Sequence, residues 1–292
     1  MRITQSLMTQ LTRQGTDRAS RALLEATRQI NAGTAIERPS DNPIRASRLQ
    51  LLDRFGADLD RLAHNRRIVE TDLTAAEAVL GDMHEAMVRA GELAVAMSSD
   101  TMNADDRANA ANEVQRILDQ LVGLANRRQA GDKFLFTGLA EDQPPLAPGG
   151  GFQGNNGARF VEIGPGVTIE ATIRGSDTFG PNNEVVTALQ GLVQALQTND
   201  LPGLQGAIDD VEGGRRILSM ARSEVGSRLA AIGDVHILSQ DLQTNILIER
   251  EELIGVDLAR IAPAISSAQV ALEAVVSVSQ NVLAQLGRAW LR

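Results

Sequence analysis

The chain of 292 residues contains no cysteine. That excludes disulfides, thiolate nucleophiles and cysteine-based metal sites, and it leaves the compartment open, because cytosolic and extracellular chains alike can lack the residue. Tyrosine is absent too, and aromatic residues make up 2% of the chain, six Phe and one Trp. A core of Leu, Ile, Val, Ala and Met closed by helix packing suits that scarcity better than a β-sandwich does. Lysine is reduced to Lys133, the other 27 of 28 basic residues being Arg, which leaves almost no room for Schiff-base catalysis or a P-loop. The net charge of −9 argues against a nucleic-acid partner, which requires clustered cations. Long apolar runs are missing as well. Even the C-terminal helical stretch is interrupted by Glu273, Gln280 and Gln285, so no membrane insertion is expected. Met1 to Ser6 shows no apolar run before a small-residue cleavage site, so no Sec leader is expected either.

Catalytic and cofactor constellations are equally thin. His64, His84 and His236 show neither H-x-x-x-H nor H-E-x-x-H spacing, so no metal site is expected. The glycines of 149–151 and 154–157 lack the Gly-Lys-Ser/Thr element of a phosphate loop and read as flexible loop. Asp209-Asp210 and Glu251-Glu252 fall at polar helical positions and read as solvated faces. No Ser/His/Asp grouping stands out. The expectation is a chain that is not an enzyme and carries no cofactor.

What the sequence does hold is periodicity. Leu52, Phe55, Leu59, Leu62, Val69, Leu73, Ala76, Leu80, Met83, Met87, Ala90, Ala94 and Met97 fall alternately three and four residues apart, with only Arg66 breaking the row. This is a heptad repeat sustained for about six heptads. Asn42 supplies a cap and Pro43 a pre-set φ for the first helical position. A helix of this extent is roughly 80 Å long, a rod along which other helices lie, with Leu52, Phe55, Leu59, Leu62, Val69, Leu73, Leu80, Met83 and Met87 as an intramolecular seam. It ends at Ser98-Ser99-Asp100. A second helix begins near Asn103, with Asp105 and Asp106 in its first turn, and runs to Gly131, giving an antiparallel hairpin.

Composition then shifts. Phe134, Leu135 and Phe136 form a strand-like run, prolines and glycines a loop, and Val167, Ile169, Ala171 and Ile173 alternate with polar residues after Gly164-Pro165-Gly166. Alternation on either side of such a turn predicts a β-hairpin. Helices return at Val185–Gln197 and from Pro202, with a slip of phase between Val235 and Ile246 and a kink or break at Pro263. At the ends, Leu7, Leu11, Leu23 and Ile30 mark one apolar stripe, and Ile265, Leu272, Val275, Val282 and Leu286, ending at Trp290, mark another. A two-helix unit is marginal alone, so these ends are expected to be completed by other subunits.

The fold expected is therefore mainly α with a small β insert: a long antiparallel coiled-coil-like rod, paired N- and C-terminal helices and a β-rich middle. The divisions are 1–42 with 255–292 (terminal assembly domain), 43–131 with 182–254 (rod) and 132–181 (insert).

Four segments carry a family resemblance. Asn31-Ala32-Gly33 through Arg38-Pro39-Ser40-Asp41-Asn42-Pro43 resembles the Ser-Gly…Arg-Pro-Ser-Asp-Asp-Pro segment of the flagellin superfamily. Phe134-Leu135-Phe136-Thr137-Gly138 is similar to the strand and glycine that open its β domain, and Val256-Asp257-Leu258-Ala259 to the acidic motif before its last helix. Leu286 to Leu291 is similar to its terminal Leu-x-x-aromatic-Leu, with Trp290 in place of Tyr or Phe. Asn42 and Ala32 depart from the pattern, while Pro39 and Pro43 favour the hook-associated proteins of the hook–filament junction, the FlgL family, over flagellin proper.

The resemblance implies a structural subunit of the bacterial flagellum, in a ring of about eleven copies between a neighbouring hook-associated protein and flagellin. It implies terminal helices in an inner tube and the insert facing outward. It further implies export through the flagellar type III apparatus to the extracellular side, with a cytoplasmic export chaperone at the C-terminal region. A flagellin-type filament subunit and a soluble helical-bundle binding module remain open as other readings.

Overall fold

A computed structural model of the chain describes residues 2–34, 38–129 and 132–290. The elements run α1 (Arg2–Ala32), α2 (Pro43–Met97), α3 (Ala104–Ala125), β1 (Arg128–Gln129), β2 (Lys133–Phe134), β3 (Phe160–Gly164), β4 (Val167–Glu170), α4 (Gly175–Phe179), α5 (Glu184–Gln197), α6 (Leu201–Ile254) and α7 (Leu258–Trp290). The fold is mostly helical with a small insert of two two-stranded antiparallel sheets, β1–β2 and β3–β4. Contacts divide the chain into two compact units, Met1–Ala57 with Leu242–Arg292, and Asp58–Asp241. These divisions fall inside α2 and α6, whereas the sequence breaks fall at 42/43 and 254/255.

Local chemistry fixes the helix ends. The Asn42 side chain accepts from Arg45 N at 3.1 Å and starts α2. Asn103 caps α3 through a reciprocal box: its Oδ1 accepts from Asp106 N at 2.8 Å, and Asp106 Oδ2 accepts from Asn103 N at 3.2 Å. Asp257 Oδ1 accepts from Arg260 N at 3.1 Å and opens α7. That restart, after Gly255, is the break. Pro263 sits inside α7 without ending it, and α6 runs unbroken through the phase slip between Val235 and Ile246. The second helix also stops earlier than its spacing suggests, at Ala125; Gly131 lies outside the described residues. Asn126 turns instead to the insert, donating to Leu146 O at 2.7 Å and accepting from Leu146 N at 3.0 Å.

The core belongs to the unit of residues 58–241. Val69, Leu73, Ala76, Leu80, Met83, Met87, Ala90 and Ala94 of α2 meet Ala111, Val114 and Leu121 of α3, Val185, Leu189, Leu192 and Leu196 of α5, and Leu204, Val211, Leu218, Val225 and Ile232 of α6. Leu59 and Leu62 are buried in the same unit, and Leu52 is buried in the other. Phe55 is the departure. The spacing puts it in the seam, yet it is 37% exposed, because burial along this stretch follows Leu52, Leu59 and Leu62 and passes it by. Three of the six phenylalanines gather in one cluster within the insert. Phe136 and Phe179 meet edge to face at 6.0 Å, and Phe152 lies 6.3 Å from Phe179.

Two arginines hold the β3–β4 hairpin to the helices. Arg66, the interruption in the heptad row, is buried, and its guanidinium donates to Ile163 O at 3.3 Å and Ser239 Oγ at 3.1 Å. It lies 3.0 Å from His236 Nδ1; a guanidinium can only donate, so Nδ1 accepts and the His236 proton resides on Nε2. Ile163 is the bulged residue of the ladder, between the Glu162↔Thr168 and Gly164↔Val167 pairs, which leaves its carbonyl for Arg66. Burial holds the Arg66 pKa below its ordinary value, with Glu70 opposing and Arg67 adding to the shift. From α6, Arg228 donates to Thr172 O at 2.9 Å and Glu170 O at 3.3 Å.

The glycine of the Phe-Leu-Phe-Thr-Gly segment has a steric reason. Gly138 has φ +65°, and a Cβ there would lie 2.2 Å from Asn155 O. The Asn155 side chain in turn accepts from Leu139 N at 2.8 Å and Gly157 N at 3.0 Å.

Candidate assembly interface

The terminal stripes occupy α1 and α7, which pack on one another within the unit of residues 1–57 and 242–292. Small side chains permit the approach: Ala19 and Ala26 on α1 and Ala268 on α7 are buried, along with Ile261, and a Cβ at Gly15 would sit 3.3 Å from Val275 Cγ2. Ala19–Ala26 and Ile261–Ala268–Val275 are each spaced by seven.

Leu23, Ile265, Leu272 and Val275 are half-buried along these helices. Leu7 and Leu11 are 54% and 59% exposed, and Ile30 is exposed as well. Val282, Leu286 and Trp290 belong to α7, but their side chains lie outside the described residues. Several apolar residues absent from the expected stripe add to the exposed surface: Leu24 on α1, Leu51 on α2, Leu247 on α6 and Val270, Val276 and Val278 on α7. Between Leu201 and Gln280, across α6 and α7, one segment is long and apolar enough, by length and composition alone, to cross a membrane, and little of it is buried. The described residues of this one unit thus leave many large apolar side chains exposed.

Polar contacts tie the remaining helices of the unit together. Arg48 pairs with Glu249 at 2.5 Å, Arg250 lies 3.8 Å from Asp53, and Arg45 Nη1 donates to Leu253 O at 3.4 Å. The hydrogen bond to Arg48 lowers the Glu249 carboxyl pKa, and the same bond raises that of Arg48. In the same unit, Arg21 and Arg28 of α1 and Arg38 of the following turn line an open cleft of about 330 Å³, with Glu25 and Asp41 on its rim. Among the described residues, no three His, Asp or Glu side chains are grouped to hold a metal ion.

Residues 3–141 match the family model of the bacterial flagellin N-terminal helical region. Over 300 aligned positions, 94% of either chain, the sequence is 25% identical to flagellar hook-associated protein 3 of Salmonella typhimurium. The fold is similar to that of Bacillus cereus FlgL, with a TM-score of 0.61 at 19% identity over 69% of this chain and 99% of that one. It is similar also to hook-associated protein-3 of Legionella pneumophila, with a TM-score of 0.63 at 12% identity over 70% of this chain and 98% of that one. These relatives are structural flagellar proteins. A flagellin-type N-terminal helical region, sequence likeness over 94% of either chain and a common fold converge on one kinship, and the chain is similar to the FlgL proteins of the flagellum.

Proposed function

We propose that this chain is the junction subunit between hook and filament, built into a ring of about eleven copies that accepts a hook-associated protein on one face and flagellin on the other. The observation that carries the reading is the apolar surface left on paired α1 and α7, with Leu7 and Leu11 more than half exposed. In the assembly, Leu7, Leu11, Leu23 and Ile30 from one end and Ile265, Leu272, Val275, Val282, Leu286 and Trp290 from the other meet the ends of neighbouring copies, so that folding of the ends is completed by association. Segments 1–42 and 255–292 then form the inner tube, 43–131 and 182–254 an antiparallel coiled-coil-like rod, and 132–181 the outward insert. The chain is exported by the flagellar type III apparatus with a chaperone on its C-terminal region, and works outside the cell.

The test is electron microscopy of cells lacking the gene, with flagellin assayed in the medium. Hooks without filaments together with shed flagellin support a junction role. Normal filaments refute it and leave a minor filament subunit, the reading that the flagellin-type N-terminal region also accommodates. Removing the last ten residues should abolish assembly, whereas a free-standing helical-bundle module should tolerate the loss.

A further inference from the structure

The cleft beside α1 is out of keeping with the charge of the chain. Overall the sequence is at −9, yet α1 carries five arginines against two acids, Asp17 and Glu25. Its packing partner α7 offers them a single carboxylate, Glu273, in 33 residues. Arg21 and Arg28 are seven residues apart and so share one helix face, which the Arg38 side of the turn closes into the cleft. Neither Arg21, Arg28 nor Arg38 has an ion-pair partner among the described residues; Asp41 on the rim accepts the Arg38 backbone N–H at 2.8 Å. Three guanidinium forks around an open cleft fit carboxylates, which they bind through paired, planar hydrogen bonds.

The same unit presents a complementary feature at the end of α6. Glu249 and Arg250 are taken up by Arg48 and Asp53, whereas the next two residues, Glu251 and Glu252, are exposed and carry no ion pair among the described residues. They are the one adjacent pair of unpaired acids among the described residues of this unit. We infer that the Arg21–Arg28–Arg38 cleft receives the Glu251–Glu252 pair of a second copy of this chain. The inference rests on the proposed ring assembly and assigns one of its copy-to-copy contacts. An acidic chain carrying the basic α1 then steers copies together in a single relative orientation, since approach of the acidic faces to each other is repelled.

Cells lacking the gene are complemented with the full chain as wild type, as Arg21→Glu/Arg28→Glu, as Glu251→Arg/Glu252→Arg, and with all four changes. Filaments are counted by electron microscopy. Each purified chain is melted by circular dichroism, so that loss of assembly is distinguished from loss of folding. Loss of filaments in both double variants at unchanged melting, with recovery in the fourfold variant, is the expected result. Wild-type filament numbers in either double variant, or no recovery in the fourfold variant, overturn the inference. The absence of native cysteine allows a second readout. Differently tagged Arg28→Cys and Glu252→Cys copies, expressed together and treated with a short bismaleimide, should give a mixed dimer, and its absence also overturns the contact. If uncomplemented cells already make normal filaments, the junction reading itself fails. That outcome is distinct from one in which wild type restores filaments and the reversed variants do so equally well.

Discussion

Arg66→Met deletes the guanidinium at the hairpin while keeping an unbranched, helix-compatible side chain of similar reach. Two of its partners have other recourse: Ser239 Oγ donates to Val235 O at 2.8 Å, and His236 is exposed enough to turn to water. Ile163 O has none, because the bulge takes it out of the β3–β4 ladder and the residue is buried. A buried carbonyl left without a donor costs about 1–3 kcal/mol, and release of a desolvated cation returns part of that sum, so a net loss of about 2 kcal/mol is expected. In a unit of this size each kcal/mol moves the melting temperature by about 2–4 °C, which predicts a fall of about 4–8 °C. Arg66→Ala should fall further, since it adds a cavity. Calorimetry on the purified chain measures the shift, and amide exchange shows where it arises, with faster exchange over Phe160–Glu170 than over Leu73–Met87. An unchanged melting temperature with unchanged exchange in the hairpin would refute the idea that Arg66 anchors it.

Gly138→Ala should cost more than about 2 kcal/mol, because the residue combines a positive φ with a Cβ path blocked by Asn155 O; limited proteolysis should cut the insert first. Leu80→Ala in the fully buried seam should lose about 2–5 kcal/mol by denaturant titration, and Phe55→Ala, at a site 37% exposed, should lose less than Leu80→Ala. Burial pushes the Asp72 carboxyl pKa up, although Arg159 and Lys133 draw it down and Glu141 adds to the rise. A carboxyl whose pKa is raised on folding opposes stability above its folded pKa and is neutral in effect below its unfolded one. Asp72→Asn should accordingly raise the melting temperature at pH 7, and the gain should vanish as the pH falls below about 3.9.

The seam, the caps and the hairpin were legible because each rests on short-range chemistry: heptad spacing, Asn42 with Pro43, Asn103 with Asp106, and alternation around Gly164-Pro165-Gly166. Phe55 shows the limit of spacing, which specifies a face of the helix but not whether anything covers it at that level. Arg66 shows another. A cation in an apolar row reads as an interruption, and only the bulge at Ile163, invisible in sequence, supplies the acceptor that makes its burial tolerable. Pro263, read as a kink or break, does not end α7; the break lies at Gly255, and Asp257 caps the restart before the proline is reached. In the terminal unit the larger apolar residues were legible, but the packing role of Ala19 and Gly15 was not, since small side chains carry little hydrophobic signal.

The solitary lysine has a practical consequence. Lys133 lies in β2, its ammonium beside Glu141 and its side chain 55% exposed. Each copy thus offers an amine-reactive dye a single side-chain amine, set in the β insert. In a multimeric object labelled to saturation at that amine, the number of photobleaching steps would count the copies one by one.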